Sequence, residues 1–165
     1  MFNAVATPTL LMMCTGNVCR SPMAEALLLQ QITKKGLEAM VFSRGFSAPI
    51  GRAPHPYAIE VATRRGVPID SSKRAGLISR VDINLASVIF VMDSGHKREM
   101  QQRFPTATGK TFLLGQWSGE EIPDPINQPL EVFERTWEFC EAGVRTWVER
   151  LVDAGMFGKT RAGAA

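Results

Sequence analysis

The sequence predicts an α/β fold in which a parallel sheet carries helices on both faces, a three-layer sandwich. Two patterns support this. Strand-type and helix-type segments alternate along the chain, as they do in folds built from parallel crossover units. The run Ser87-Val88-Ile89-Phe90-Val91-Met92 is continuous, apolar and β-branched, as expected of a strand buried on both sides. A chain of 165 residues can also close a full core. We therefore expect a single domain over residues 1–157 and a flexible C-terminal tail over 158–165.

Each element follows from local signals. The first strand is placed at 10–13 in the apolar run Thr9-Leu10-Leu11-Met12-Met13. That run lacks the basic flank of a leader and is far shorter than a membrane span, so no membrane partner is expected. A helix starts near Ser21-Pro22, a hydroxyl cap followed by proline in the first turn. Met23, Ala24, Leu27, Leu28 and Ile32 give it an apolar face, and Gly36 stops it. Residues 38–42 read as the second strand, with Ser43-Arg44-Gly45 turning away from its end. A loop with Pro49, Gly51 and Pro54 leads to a helix over 56–65, stopped at Gly66. After the 87–92 strand, Asp93-Ser94 caps a helix to about Gln102, and 111–114 is the last strand. The final helix is placed at 130–152, burying Val132, Phe133, Trp137, Cys140, Val144, Trp147, Val148 and Leu151.

Composition excludes several classes. A net charge of +3, with Lys and Arg scattered, is too weak a footprint for nucleic acid. Three cysteines without framework spacing point to a reducing, cytoplasmic setting rather than a disulfide scaffold. Cys14 and Cys19 lack zinc-ligand spacing, and His55 and His96 lie far from both, so no metal is expected. Each histidine reads as an ordinary surface or loop residue, and Cys140 as core.

The chemistry concentrates in Cys14-Thr15-Gly16-Asn17-Val18-Cys19-Arg20-Ser21-Pro22, which joins the first strand to its helix. Loop N–H groups and a helix N-terminus converge there on one point, a ready site for a tetrahedral oxyanion. Arg20 can grip two of that anion's oxygens, which a lysine cannot reproduce. The same field favours a thiolate at Cys14, which lies at the carboxyl edge of the sheet. Asn17 suits a left-handed backbone, which turns N–H groups inward, and Gly16 permits close approach to a ligand. Ser21 is expected to donate to the Cys14 sulfur. Thr15, Gly16, Asn17, Val18, Cys19 and Ser21 are thus the expected binding residues. Thiolate attack on phosphorus needs a proton for the departing oxygen, and Asp124, on the stiff Pro123-Asp124-Pro125 segment, is the expected acid.

The loop from Cys14 to Ser21, with Pro22-Met23-Ala24-Glu25-Ala26, resembles the active-site loop and first helix of the low-molecular-weight protein tyrosine phosphatases. Val91-Met92-Asp93-Ser94-Gly95-His96 and Asp124-Pro125 fall in the order of that family's later landmarks. The resemblance implies a four-stranded parallel sheet of flavodoxin-like order, no cofactor, a phosphorylated protein as substrate, and a monomer or weak dimer. It also implies a cysteinyl-phosphate intermediate, with Cys14 as nucleophile, Arg20 as phosphate clamp, and Asp124 as acid and then base. Cys19 matches a second family cysteine that can pair reversibly with the nucleophile, or it is simply a small buried loop residue.

The chain departs from the family in several places. Ile126 stands where an aromatic is common, and Phe46 is the nearest candidate for the opposite aromatic wall. Ser72-Lys73-Arg74-Ala75-Gly76 replaces a histidine-rich segment, and Arg44 replaces a small residue. Three alternatives remain. A thioredoxin-coupled arsenate reductase would need further thiols after the third strand, where none stands. Phosphoarginine phosphatases usually carry threonine at the position of Val18. A degenerate phosphate-binding module would not need nucleophile, clamp and acid together.

Overall fold

The computed structural model describes residues 6–158. The elements run β1 (Thr9–Cys14), α1 (Arg20–Lys34), β2 (Met40–Gly45), α2 (Pro56–Arg64), α3 (Arg80–Leu85), β3 (Val88–Val91), α4 (Ser94–Arg103), β4 (Thr111–Leu113) and α5 (Leu130–Asp153). A short 3-10 turn, Pro105–Lys110, precedes β4. The strands form one four-stranded parallel sheet in the order β2-β1-β3-β4. From residue 159 on, the expected tail lies outside the described residues.

The apolar runs are continuous because both sheet faces are covered. Leu10 and Met12 point into a core shared with Met23, Leu27 and Leu28 of α1 and Phe133, Trp137 and Val148 of α5. Leu11 and Met13 point the other way, against Ile83 of α3 and Met100 of α4. Alternation along β3 repeats this, with Phe90 on the first face and Ile89 and Val91 on the second. Each such side chain, fully buried, contributes about 1.5–3 kcal/mol. The two-sided core therefore fixes β1 from above and below, and β1 ends on Cys14. At Gly143 the backbone of α5 lies so close to the sheet edge that a Cβ would sit 2.7 Å from the Leu114 carbonyl oxygen.

Three expectations need correction. The second strand occupies Met40–Gly45, not 38–42, so Ser43-Arg44-Gly45 is strand and not turn. Its register demands this: Met12 pairs with Ser43 and Cys14 with Gly45, so β2 extends as far as β1 does. Helix α3 was not expected, yet Ser79 and Asp82 form a reciprocal capping box at its start. Helix α1 begins at Arg20 with Cys19 at its cap position and no side-chain cap bond, so Ser21 is not the cap. The Ser21 hydroxyl turns instead to the Cys14 sulfur.

Candidate active site

Cys14 ends β1 and is 3% exposed. Its Sγ accepts a hydrogen bond from the Asn17 backbone N–H at 3.2 Å and lies 2.9 Å from Ser21 Oγ. An ionised sulfur can only accept, so Ser21 is the donor to a thiolate. The hairpin-tight path between these contacts depends on Asn17, whose φ is 54°. Asparagine tolerates that left-handed conformation better than other residues with a Cβ.

The Asn17 side chain is held at both ends. Its Oδ1 accepts from the Gly76 N–H at 2.9 Å. That fixes the amide orientation, so Nδ2 donates to Ser21 Oγ at 2.8 Å and to Ser43 Oγ at 2.9 Å. Gly45 lets β2 come close enough for this. A Cβ there would lie 2.6 Å from the Thr15 carbonyl oxygen and 3.0 Å from the Asn17 nitrogen.

Arg20, the first residue of α1, is 3% exposed. Its Nη1 donates to Asp93 Oδ2 and to the Ile122 carbonyl, both at 3.0 Å. Two of the five guanidinium N–H groups are thereby used to orient the fork, and the others remain for a ligand. Nη2 stands 3.6 Å from Asp124 Oδ2. Asp93 caps α4 by accepting from the His96 N–H at 2.8 Å. Burial works against the Asp93 carboxylate, yet the His96 N–H and Arg20 together hold its pKa below the usual carboxylate range.

His96 corrects the expectation of an ordinary surface or loop residue. It is 4% exposed and stacks on Phe46, ring centroids 5.4 Å apart. Nδ1 accepts from the Met92 N–H at 3.3 Å, which leaves the ring proton on Nε2, 2.9 Å from Thr15 Oγ1. Burial, and secondly Arg20, push its pKa below the ordinary histidine value. A neutral imidazole thus props the second residue of the loop. His55 is also no idle loop residue: its Nδ1 caps α2 by accepting from the Tyr57 N–H.

Cys14, Thr15, Gly16, Val18, Cys19, Arg20, Asp124 and Ile126 line one pocket of about 170 Å³. Asp124 is exposed at the rim, its Oδ1 accepting from the Ile126 N–H at 3.2 Å. Val18 and Ile126 supply apolar surface on the same pocket. Phe46 does not form the opposite wall. It is buried in the second core, with its backbone N–H on the Cys14 carbonyl.

Residues 9–155 match the family model described as low molecular weight phosphotyrosine protein phosphatase. The chain belongs to that family. It is 39% identical over 143 residues to the probable low molecular weight protein-tyrosine-phosphatase EpsP of Ralstonia nicotianae, a match covering 87% of this chain and 95% of that protein. Among solved structures it resembles Vibrio vulnificus Wzb in complex with benzylphosphonate, with a TM-score of 0.82 and 31% identity over 88% of this chain and all of the other (100%). It also resembles the YwlE arginine phosphatase from Geobacillus stearothermophilus, with a TM-score of 0.81 and 33% identity over 94% and 99% of the two chains.

Within this phosphatase fold, every expected residue of the loop, together with Asp124, meets at one pocket or directly behind it. Sequence reasoning missed the supports behind the loop: Ser43, Asp93 as the partner of Arg20, and His96. The capping aspartate and the histidine three residues on were visible, but their reach to the loop was not. Lys73, in the segment that replaces the family's histidines, is a further support behind the loop. Its Nζ donates to the Ser43 carbonyl at 3.2 Å and lies 3.7 Å from Glu25 Oε2, both side chains largely buried.

Proposed function

We propose that this protein hydrolyses phosphotyrosine on protein substrates, with Cys14 as nucleophile, Arg20 as phosphoryl clamp and Asp124 as general acid and then base. One observation carries the assignment: the Cys14 sulfur, the Arg20 fork and the Asp124 carboxylate line the same pocket. In the first step Cys14 Sγ attacks phosphorus while the aryl oxygen departs with a proton from Asp124. The S–P bond forms as the P–O bond breaks. In the second step Asp124 takes a proton from water, whose oxygen attacks phosphorus, and the thiolate leaves. Ser21, already 2.9 Å from the sulfur, eases that departure by stabilising the anion.

Val18 favours this ester over phosphoarginine, because it lines the pocket with a methyl surface and offers no hydroxyl to a guanidino group. A reducing, cytoplasmic setting is supported by the three cysteines, all of them free thiols. Among the described residues no helix is long and apolar enough to cross a membrane. Redox control is proposed at Cys19 because it and Cys14 are free thiols lining the same pocket, so an oxidant that converts Cys14 to the sulfenic acid gives Cys19 a partner for a disulfide, with water as the leaving group.

The deciding experiment compares phosphotyrosine peptide, phosphoarginine and small aryl phosphates. Turnover of the aryl esters that vanishes in Cys14→Ser supports the reading. Activity confined to phosphoarginine, or activity that survives Cys14→Ser, overturns it.

A further inference from the structure

Arg44 stands where the phosphate loop meets two other segments, yet it does not line the pocket. Its Nη1 donates to the Ser43 carbonyl at 2.9 Å, and its Nε donates to Asp82 Oδ2 at 3.2 Å. The guanidinium lies 4.9 Å from the centroid of the Phe42 ring. Its stem covers Gly76 so closely that a Cβ there would meet Arg44 Cδ at 3.1 Å. Ser43 and Gly76 are two of the three residues that hold the Asn17 amide, one through Oγ and the other through N–H, the third being Ser21 within the loop itself. Asp82 is itself fixed, because the same Oδ2 accepts the Ser79 N–H in the α3 capping box. The chain of contacts therefore runs from α3 through one guanidinium to both sides of Asn17.

We propose that Arg44 is a positioning residue for the phosphate loop: clamped by Asp82, it holds Ser43 and Gly76 against the Asn17 side chain. Gly76 and Arg44 then form a complementary pair, the missing side chain of one making room for the other. The effect on rate rests on Cys14 being the nucleophile, whereas the effect on anion binding does not. Lys73 also donates to the Ser43 carbonyl, so loss of Arg44 loosens the loop without unmaking it.

The test uses Arg44→Met, which keeps an apolar stem over Gly76 and removes every side-chain donor. It adds Asp82→Asn, which keeps an acceptor for Ser79, and the double variant. Inorganic phosphate affinity is read by NMR titration, and kcat and KM with an aryl phosphate. Phosphate affinity should weaken about 3- to 10-fold and kcat should fall about 10-fold, with a smaller change in KM, as expected when a reacting group is slightly misplaced. Arg44→Lys should recover part of the loss. The two single losses should not add, because both cut the same clamp. Gly76→Ala gives a second route: no positive φ forbids alanine there. It should lower kcat in the native background and not in Arg44→Ala. Arg64→Met removes ion pairs to Glu60 and Glu134 far from the loop and is the stability control. Unchanged phosphate affinity and kcat in Arg44→Met overturn the proposal, as does an equal kcat loss in Arg64→Met at a matched fall in Tm. Phosphate binding that weakens in Arg44→Met, in a protein that turns over no phosphate ester, upholds the clamp and removes the hydrolase reading instead.

Discussion

Asn17 does two separable jobs for the thiolate loop. Its backbone sits at φ 54°, and its side chain bonds Ser21, Ser43 and Gly76. Asn17→Gly keeps the conformation and loses the amide, whereas Asn17→Ala loses both. If the amide network positions the sulfur, both variants should lose at least about 10-fold in kcat, since the Ser21 and Ser43 hydroxyls each lose a donor and the Gly76 N–H loses its acceptor, the last at about 1–3 kcal/mol. Alanine should be the less stable of the two by about 1 kcal/mol, the cost of a Cβ in the left-handed region. Urea unfolding with steady-state kinetics separates the two effects. Near-native kcat in Asn17→Gly would show that only the backbone bend matters.

His96 adds a pH dependence at the same scale. Its folded pKa lies below the ordinary value, first because of burial and then because of Arg20. The unfolded chain therefore binds the proton more readily. The histidine's contribution to stability is complete above about pH 6.5 and is lost as pH falls through that value towards the lower folded one. Protonation would also set an N–H against the Met92 N–H that Nδ1 now accepts. Other groups face this ring. Asp93 Oδ1 stands 3.6 Å from Nδ1, while Arg20, Glu99 and Asp124 act on it at longer range. His96→Gln should flatten the decline of Tm between about pH 6.5 and 5 relative to the native chain. An identical decline in both proteins would assign it elsewhere, for instance to His55, whose pKa burial also lowers.

At the scale of elements, the end of β2 decides how close the sheet comes to the loop. Gly45→Ala would place a Cβ 2.6 Å from a backbone oxygen, which cannot move without displacing the loop. Overpacking of this kind costs about 1–3 kcal/mol. Most of the loss in kcat/KM should appear in kcat, because Thr15 and Asn17 are the atoms pushed; full activity in this variant would refute the close-approach account. The same strand shows what sequence reading reaches. Cys14 to Ser21 was legible because nucleophile, clamp and loop donors are contiguous, and contiguous residues fold into one local geometry. Helices α1 and α5 were legible from their apolar faces, with Gly36 marking the end of α1, and strand β3 from its unbroken β-branched run. Ser43 was misread as turn, because what makes it strand is pairing with Met12, a partner distant in sequence. Phe46 was misread for a similar reason: a large aromatic beside a loop looks like a wall until the core behind it is known. Helix α3 is short, and its signal was there in Ser79 and Asp82.

Over the whole molecule, the largely buried Lys73–Glu25 pair sets stability against function. Burial raises the pKa of Glu25 and lowers that of Lys73, in each case outweighing the attraction of the partner. Neither charge is at ease in the fold. The folded protein binds the Glu25 proton more tightly than the unfolded chain does. That contribution is therefore full below about pH 4.3 and is lost as pH rises through the raised folded value. Lys73 works in the opposite sense, gaining stability as pH rises from its lowered folded value to about 10.4. Lys73 Nζ nonetheless reaches the Ser43 carbonyl behind Asn17. Removing one partner leaves the other without its counter-charge, so Glu25→Gln or Lys73→Met alone should destabilise the fold at pH 7, by less than the about 3–5 kcal/mol of a fully buried pair. Glu25→Leu with Lys73→Met replaces the pair by apolar groups and should be as stable as the native chain or about 1–4 kcal/mol more so. Yet its kcat should fall, because the Ser43 carbonyl then keeps only one of its two side-chain donors, Arg44. Thermal unfolding and kinetics on the three variants provide the check. A double variant that is both destabilised and fully active would mean that the charges hold the fold and that the loop does not need them.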